Sequence, residues 1–233
     1  MPSNLEMMEL HVEALFLRDE RRRLAAVNDV DRRPAPRLFL GRTVEGNIWR
    51  FRRDLPEELV AGLEAILVDE PVATDLEQPA LTAQRLHEAL SRDAPVEGIW
   101  EGPAWHFPAQ IGLSPDVQVY RVTPGMQFTG DRFTWLVDEL EYCQPCYVVL
   151  DGSRIASLCH SSRNSPLAAE AGVETLEAYR GRSYGAAVTA AWAQAVRAEG
   201  REPLYSTSWD NVASRALART LGLILYGVDL HFT

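Results

Sequence analysis

Residues 180–186, Arg180-Gly181-Arg182-Ser183-Tyr184-Gly185-Ala186, put two guanidinium groups and two glycines into one short turn. A strand ending near Leu176 precedes the turn, and the alanine-rich run from Ala186 to Glu199 follows it as a helix stopped by Gly200. A strand, a glycine-bearing turn and a helix in that order build an anion site. The first N–H groups of the helix have no main-chain partner, and the helix dipole puts partial positive charge beside them. Arg180 and Arg182 add formal charge at the same place. The natural ligand of such a cradle is a pyrophosphate. The spacing is that of neither common nucleotide motif: there is no Gly-x-x-x-x-Gly-Lys-Ser/Thr, and no Gly-x-Gly-x-x-Gly with an acidic residue about 20 positions later.

The elements that must position the turn are legible on either side of it. Residues 147–150 form a short apolar strand, Asp151-Gly152 is a turn signal, and residues 153–159 alternate and pair back as a hairpin. A third strand covers roughly 168–176. The helix from Ser183 places Val188, Ala191, Trp192, Ala195 and Val196 on one face. Residues 203–209 are the next strand, and Asp210-Asn211 reads as the N-cap of a helix over 212–221 closed by Gly222. Residues 223–232, alternating around Gly227, make a final strand.

The turn resembles the coenzyme A-binding motif Gln/Arg-x-x-Gly-x-Gly/Ala of the GCN5-related N-acetyltransferase (GNAT) superfamily. Arg180 takes the first position, Ser183 stands where the first glycine is expected, and Gly185 takes the last. A side chain at 183 crowds a backbone that must approach phosphate, yet serine is also an N-cap with a hydroxyl to offer the ligand. Two further features match: Asn211 at the start of the second helix, and Leu221-Gly222-Leu223 in place of the family's Leu-Gly-Phe step. The resemblance covers about Cys146 to the C-terminus. It implies an α+β (α/β) fold with a mixed, largely antiparallel central sheet, splayed between two parallel strands and flanked by helices.

It also implies a reaction, in which acetyl-CoA serves as co-substrate and its acetyl group passes directly to an amine, a small molecule or a peptide. The coenzyme-binding residues by this resemblance are Val173, Glu174, Thr175, Arg180, Gly181, Arg182, Ser183, Tyr184, Gly185, Ala186, Asn211 and Ser214. Val173 and Thr175 offer strand-like pairing to the pantetheine, and a free N–H near Val173 polarises the thioester carbonyl. Glu170 and Glu174 are the base candidates. Four residues apart, they share a sheet face if the strand is regular, whereas a bulge, for which Gly172 is the natural position, would swap one over. Glu170, deeper in the strand, is favoured. Many members carry a tyrosine acid seven residues after the asparagine, but here that position is Ala218. Either the acid is elsewhere, with Ser214, Tyr205 and Tyr226 the nearest hydroxyls by sequence, or none is required, because a thiolate is a tolerable leaving group near neutral pH. Ser214, one helical turn after Asn211, is the chosen hydrogen-bond donor to the sulfur. The missing tyrosine and the serine at 183 motivate an alternative, a non-catalytic acyl-CoA-binding sensor.

The first half carries weaker patterns. Residues 5–27 suit one helix, with Leu5, Met8, Val12, Leu15 and Phe16 apolar, and residues 32–36 a linker. A strand over 46–52, a helix from the Asp54 cap to about Val68 and a helix over 82–91 capped by Thr82 follow. Residues 102–108 and 117–121 read as strands, and 133–140 as a helix. The expected division is an N-terminal region over 1–140 (an acceptor site or a degenerate acetyltransferase-like half) and a GNAT coenzyme A-binding core over 141–233. The N-terminal part resembles, weakly, the leading halves of glycine-N-acyltransferase-like members.

Composition bounds the partners. A net charge of -10 argues against nucleic acid. The sequence has neither an apolar run of membrane-spanning length nor a secretory leader pattern, so a cytoplasmic protein without a membrane partner, monomeric or homodimeric, is expected. Cys143-Gln-Pro-Cys146 with Cys159-His160 suggests zinc at first sight, and a zinc-dependent interaction module would follow from it. Adjacent strand residues point to opposite faces, however, so core thiols and no metal are the expectation. His106 reads as a strand residue. Trp49, Trp100, Trp105 and Trp135 fill the core or line an acceptor cleft, and Arg50, Arg52 and Arg53 form a solvated strand face.

Overall fold

A computed structural model describes residues 2–112, 116–130 and 132–233. In chain order the elements are α1 (Asn4–Leu15), β1 (Phe16–Arg18), β2 (Leu24–Val27), β3 (Leu38–Thr43), β4 (Gly46–Phe51), α2 (Glu57–Leu67), α3 (Ala83–Asp93) and β5 (Ile99–His106). They continue with β6 (Tyr120–Arg121), α4 (Trp135–Glu139), β7 (Cys146–Asp151), β8 (Arg154–Asn164), β9 (Ala168–Thr175), α5 (Tyr184–Ala198), β10 (Glu202–Ser206), α6 (Val212–Thr220) and β11 (Ile224–Phe232). The fold class is the expected one. Two compact units form: Met1–Trp105 with Ser206–Asn211 and Leu225–Thr233, and His106–Tyr205 with Val212–Ile224.

In the first unit the strand order is β4-β3-β11-β5, with β4, β3 and β11 antiparallel. Leu38, Leu40 and Phe232 of this sheet bury against Leu63 and Leu67 of α2 and Leu86 and Leu90 of α3. β3 is buried at every position, so it lacks the alternation that would have marked it in the sequence. α1 starts with a capping box between Ser3 and Glu6. It does not run on to residue 27. The Asp19 carboxylate accepts the N–H groups of Arg21 and Arg23, both at 2.9 Å, and this side-chain-to-backbone turn folds residues 16–27 into the antiparallel pair β1–β2.

Other local expectations also change for electrostatic reasons. Arg52 takes the Asp54 carboxylate at 2.7 Å, and α2 starts after Pro56 with no side-chain cap. Thr82 gives its hydroxyl to the buried Glu70 at 2.8 Å instead of capping α3. Arg50 is not part of a solvated face: it is largely buried and ion-paired to Glu9 at 2.6 Å. Asp229, fully buried on β11, takes His11 Nε2 at 2.7 Å and His231 Nε2 at 3.2 Å on one carboxylate oxygen. Burial works to raise its pKa, but the two imidazoles overcome that and hold it down at about 2.

In the second unit the order is β10-β9-β8-β7-β6, parallel between β10 and β9 and antiparallel elsewhere. β6 is only Tyr120–Arg121, shorter than its sequence pattern. α5 lies on the β8–β9 pair: Trp192 is fully buried and donates from Nε1 to Ser161 Oγ at 3.0 Å. Alternation then turns Leu158 to the opposite face, where it packs with Val122, Leu136 and Val148. Near the end of α5, Arg197 gathers the carbonyl oxygens of Phe107, Pro108 and Ala109 at 2.7, 2.6 and 3.2 Å. No described helix is long and apolar enough to cross a membrane.

Candidate functional site

The parallel pairing of β9 with β10 runs through Ala168–Glu202, Ala169–Pro203 and Glu170–Leu204 and then stops. Residues 171–175 of β9 keep β8 on one edge and have no described strand on the other. Three hydrogen bonds fix which peptide groups face which way. Leu176 N–H donates to Ala156 O at 3.0 Å, Ser157 Oγ to Glu174 O at 3.3 Å, and Ser162 Oγ to Glu170 O at 3.1 Å. Even-numbered peptide groups therefore face β8. The N–H and C=O groups of Val173 and Thr175 face the open edge.

That edge runs into the turn. After a 3-10 segment, Glu177–Tyr179, the backbone enters the left-handed region at Gly181 (φ +75°) and again at Ser183 (φ +61°). Ser183 precedes α5, but its hydroxyl makes no cap bond, so the N-cap role expected of it is not taken up. The first N–H of the helix to find a main-chain acceptor is that of Ala187, bonded to Ser183 O at 3.0 Å. The N–H groups of Tyr184, Gly185 and Ala186 precede it and are left over by helix geometry. Gly185 lets α5 come close to the end of β9: a Cβ there would lie 3.1 Å from Thr175 Oγ1, near enough to press on that side chain. Tyr179 stiffens the turn by donating to Asp151 Oδ2 at 2.7 Å, with the Arg182 guanidinium over its ring at 5.5 Å. Arg180 is exposed. A cavity of about 290 Å³ lies beside this turn, lined by Ile111, Gly112, Ser183, Ala186, Thr220 and Leu221.

β9 is regular, so Glu170 and Glu174 do share one face. The bulge lies on β8 instead, where Ser162 is the extra residue between Ser161 and Arg163, and Gly172 is not a bulge. Gly172 makes room for His160, its partner across the ladder: a Cβ would stand 2.5 Å from His160 Cε1. Glu170 is 4% exposed, whereas Glu174 is part-exposed and ion-paired to Arg132 at 2.6 Å. The sequence shows His160 only as a poor metal ligand. In the fold it joins the face of Glu170 and Glu174, with Trp135 5.1 Å from its ring, and burial pushes its pKa down to about 4.

The hydroxyl candidates separate. Tyr205 and Ser214 are hydrogen-bonded to each other across β10 and α6, so Ser214 comes with a partner that the sequence did not reveal. Burial raises the Tyr205 pKa to about 12 against the lowering effect of that bond, and the nearby Glu170 charge adds to the rise. Tyr226 belongs to the other unit, buried edge-on to the His11 ring, and is not part of this constellation. Asn211 is exposed just before α6, its N–H bonded to Ser208 O at 3.1 Å, and is grouped with the first unit. Cys143, Cys146 and Cys159 are buried free thiols whose pKa values burial raises, that of Cys143 to about 11.

Residues 145–227 match the family model of the GNAT acetyltransferases. No curated protein matches the chain. Among solved structures, a GCN5-related N-acetyltransferase-like protein from Streptococcus suis is 14% identical, covers 85% of each chain and superposes with a TM-score of 0.51, which shows a common fold. A GNAT-family protein from Novosphingobium aromaticivorans is 17% identical over 59% of this chain, with a TM-score of 0.45, and this chain spans 65% of its length. Residues 145–227, over which the chain is similar to the GNAT acetyltransferases, hold the splayed strands and the turn between them.

Proposed function

We propose that the protein transfers an acetyl group from acetyl-CoA to an amine. The observation that carries this reading is the unpaired stretch of β9, which runs directly into a left-handed turn and the free N–H groups of α5. A pantetheine arm with amide groups suits an open strand edge, and a pyrophosphate suits a helix N-terminus with Arg180 and Arg182 beside it. Acetyl-CoA supplies the activated thioester. The N–H of Val173 is the assigned donor to the thioester oxygen, and the N–H groups of Tyr184, Gly185 and Ala186 hold the phosphates. Glu170 receives the proton of the amine. Tyr205, held by Ser214 and protonated at neutral pH, donates to the departing sulfur. The reaction balances with one N–C bond formed, one C–S bond broken and one proton moved from nitrogen to sulfur.

A cavity of about 770 Å³, with Met126, Phe128, Leu136 and Leu140 in its wall and Asp138 and Glu141 among its lining residues, offers an amine with an apolar body a place to bind. The test is release of coenzyme A thiol from acetyl-CoA across a panel of amines, read with a thiol reagent. Amine-dependent thiol release supports the reading. Tight coenzyme A binding with no turnover across acyl donors and amines would replace it with the non-catalytic acyl-CoA sensor.

A further inference from the structure

A row of paired residues crosses the sheet of the second unit: Cys146 on β7 is in register with His160 on β8, and His160 with Gly172 on β9. Directly opposed residues of a ladder share a face, so Cys146 lies on the face that carries His160, Glu170 and Glu174. It packs there with Leu136 of α4 and with Val122, whose N–H donates to the Cys146 carbonyl at 2.8 Å. Val122 and Leu136 both belong to the wall of the cavity of about 770 Å³. The cavity therefore lies on the face of Glu170, at the far end of the row.

At the near end Gly172 is bonded to Val173, the assigned oxyanion donor. Neighbouring strands stand about 4.8 Å apart, so about 10 Å separates β9 from β7. An extended carbon chain advances about 1.2 Å per bond, since a residue of three bonds spans at most about 3.6 Å. An amine held at Glu170 is then joined to a body in the cavity by about eight bonds. The surface crossed on the way is Trp135, partly exposed, with its ring 5.1 Å from that of His160.

The lining defines the body that fits. Met126, Phe128 and Leu140 supply apolar surface. Asp138 and Glu141 are exposed, and their carboxylates have no hydrogen-bond or ion-pair partner among the described residues. Arg121, which also lines the cavity, has its own carboxylate in Glu199 at 3.6 Å. The charge offered to an occupant is therefore negative. The acyl chain of a thioester is neutral and gains nothing from it, whereas a cation does.

We propose that the acceptor is a long dicationic amine: a primary amine at one end, an apolar chain of more than about eight bonds, and a second positive charge received by Asp138 and Glu141. This rests on the acetyltransferase reading above, and the transfer is the one balanced there.

The experiment measures kcat/KM with acetyl-CoA for straight-chain amines of four, eight and twelve carbons whose far end is methyl, ammonium or carboxylate. Alkylamines should gain less than about fivefold from four to eight carbons and more than about tenfold from eight to twelve, since each buried methylene is worth up to about fourfold. At twelve carbons the diamine, halved for its two ends, should exceed the alkylamine by about two- to fivefold, and the amino acid should fall below it. The diamine advantage should vanish when Asp138→Asn and Glu141→Gln are combined, and as a ratio within one protein it survives a partial loss of fold. An even gain from four carbons upward, no gain at all, or equal values for the three end groups would overturn the proposal. So would a preference for dodecanoyl-CoA over acetyl-CoA with none among the amines, which would give the cavity to the donor chain. Wild-type protein that turns over no amine defeats the acetyltransferase reading instead. Calorimetric titration of the same diamines into protein saturated with coenzyme A then decides: binding of the twelve-carbon diamine alone, lost in the double variant, supports the proposal. No binding, or binding that ignores length, overturns it.

Discussion

Replacing Ser183 by glycine should stabilise the protein, although it removes a side chain at the start of its longest helix. Ser183 holds φ +61° and ψ 11°, a left-handed conformation. That conformation costs an L-residue about 1–2 kcal/mol that glycine is spared. The serine recovers none of this through capping, because its hydroxyl makes no bond to the helix and the residue is exposed. Glycine in turn frees the unfolded chain, at a cost of about 0.4–1 kcal/mol. The difference leaves a net gain of about 0.5–1 kcal/mol, a rise in Tm of about 1–4 °C for a chain of this size. Thermal melts of wild type, Ser183→Gly and Ser183→Ala decide it, with the alanine variant keeping the strain and gaining nothing. A Ser183→Gly protein that melts below wild type refutes the argument. Coenzyme A titration of the same proteins separates two ways of holding the phosphates. If backbone N–H groups do the binding, the glycine variant binds as well as wild type or better. If the hydroxyl is a phosphate ligand, both variants lose about tenfold or more, the worth of a hydrogen bond to a charged group.

Other perturbations test other parts of the chain. Glu170→Gln should lower kcat by about a hundredfold or more with little change in the KM for acetyl-CoA, whereas Glu174→Gln, whose carboxylate Arg132 already holds at 2.6 Å, should cost less than about tenfold. Equal effects of the two substitutions would remove Glu170 from its assigned role. Asp229→Ala should destabilise the first unit by about 3–5 kcal/mol, because it strands two imidazoles in the core. With a folded pKa of about 2 against an ordinary 3.8, the Asp229 carboxylate stabilises the fold fully above about pH 4. About 2 kcal/mol of stability is then lost as pH falls toward 2, and urea midpoints across that range should show this in wild type and not in Asp229→Asn. The buried thiols Cys143, Cys146 and Cys159 should resist a thiol reagent in native protein and all react in denaturant. Rapid native labelling of any of them would contradict their burial, and would also spoil the coenzyme A release assay.

Local chemistry explains what the sequence disclosed. Asp151-Gly152 marks the β7–β8 hairpin because Gly152 holds φ +60°, and Gly200 and Gly222 end helices for the same left-handed reason. The turn at 180–186 is readable because its glycines and arginines are contiguous. What stays hidden depends on partners far away in the chain. The apolar spacing of Leu5, Met8, Val12 and Leu15 continues plausibly past Phe16, and only the Asp19 side chain, which captures two N–H groups, shows that the helix must stop. Strand alternation alone puts Glu170 and Glu174 on one face, but a glycine attracts the bulge to Gly172 when it lies at Ser162 on the neighbouring strand. The pairing of His160 with Gly172 follows from that register. Tyr205 and Ser214 meet only because β10 and α6 fold back on each other, a contact with no local signature.

The unpaired edge of β9 has a cost that every copy of the protein carries before it meets a ligand. Exposed N–H and C=O groups in a row are a template for any extended chain, including a second copy of this one, and self-association along such edges is a route to aggregation. The stretch is short, and Glu174 stands on it with Glu170 at its root, so two edges brought together would oppose like charges. A ligand that occupies the edge acts as its missing strand. Saturating coenzyme A at about a hundredfold over its Kd would add about 2.7 kcal/mol to the folded state by mass action alone. Solubility, melting temperature and amide exchange at Val173 and Thr175 should therefore all follow coenzyme A concentration together, and the protein is best handled with its edge filled.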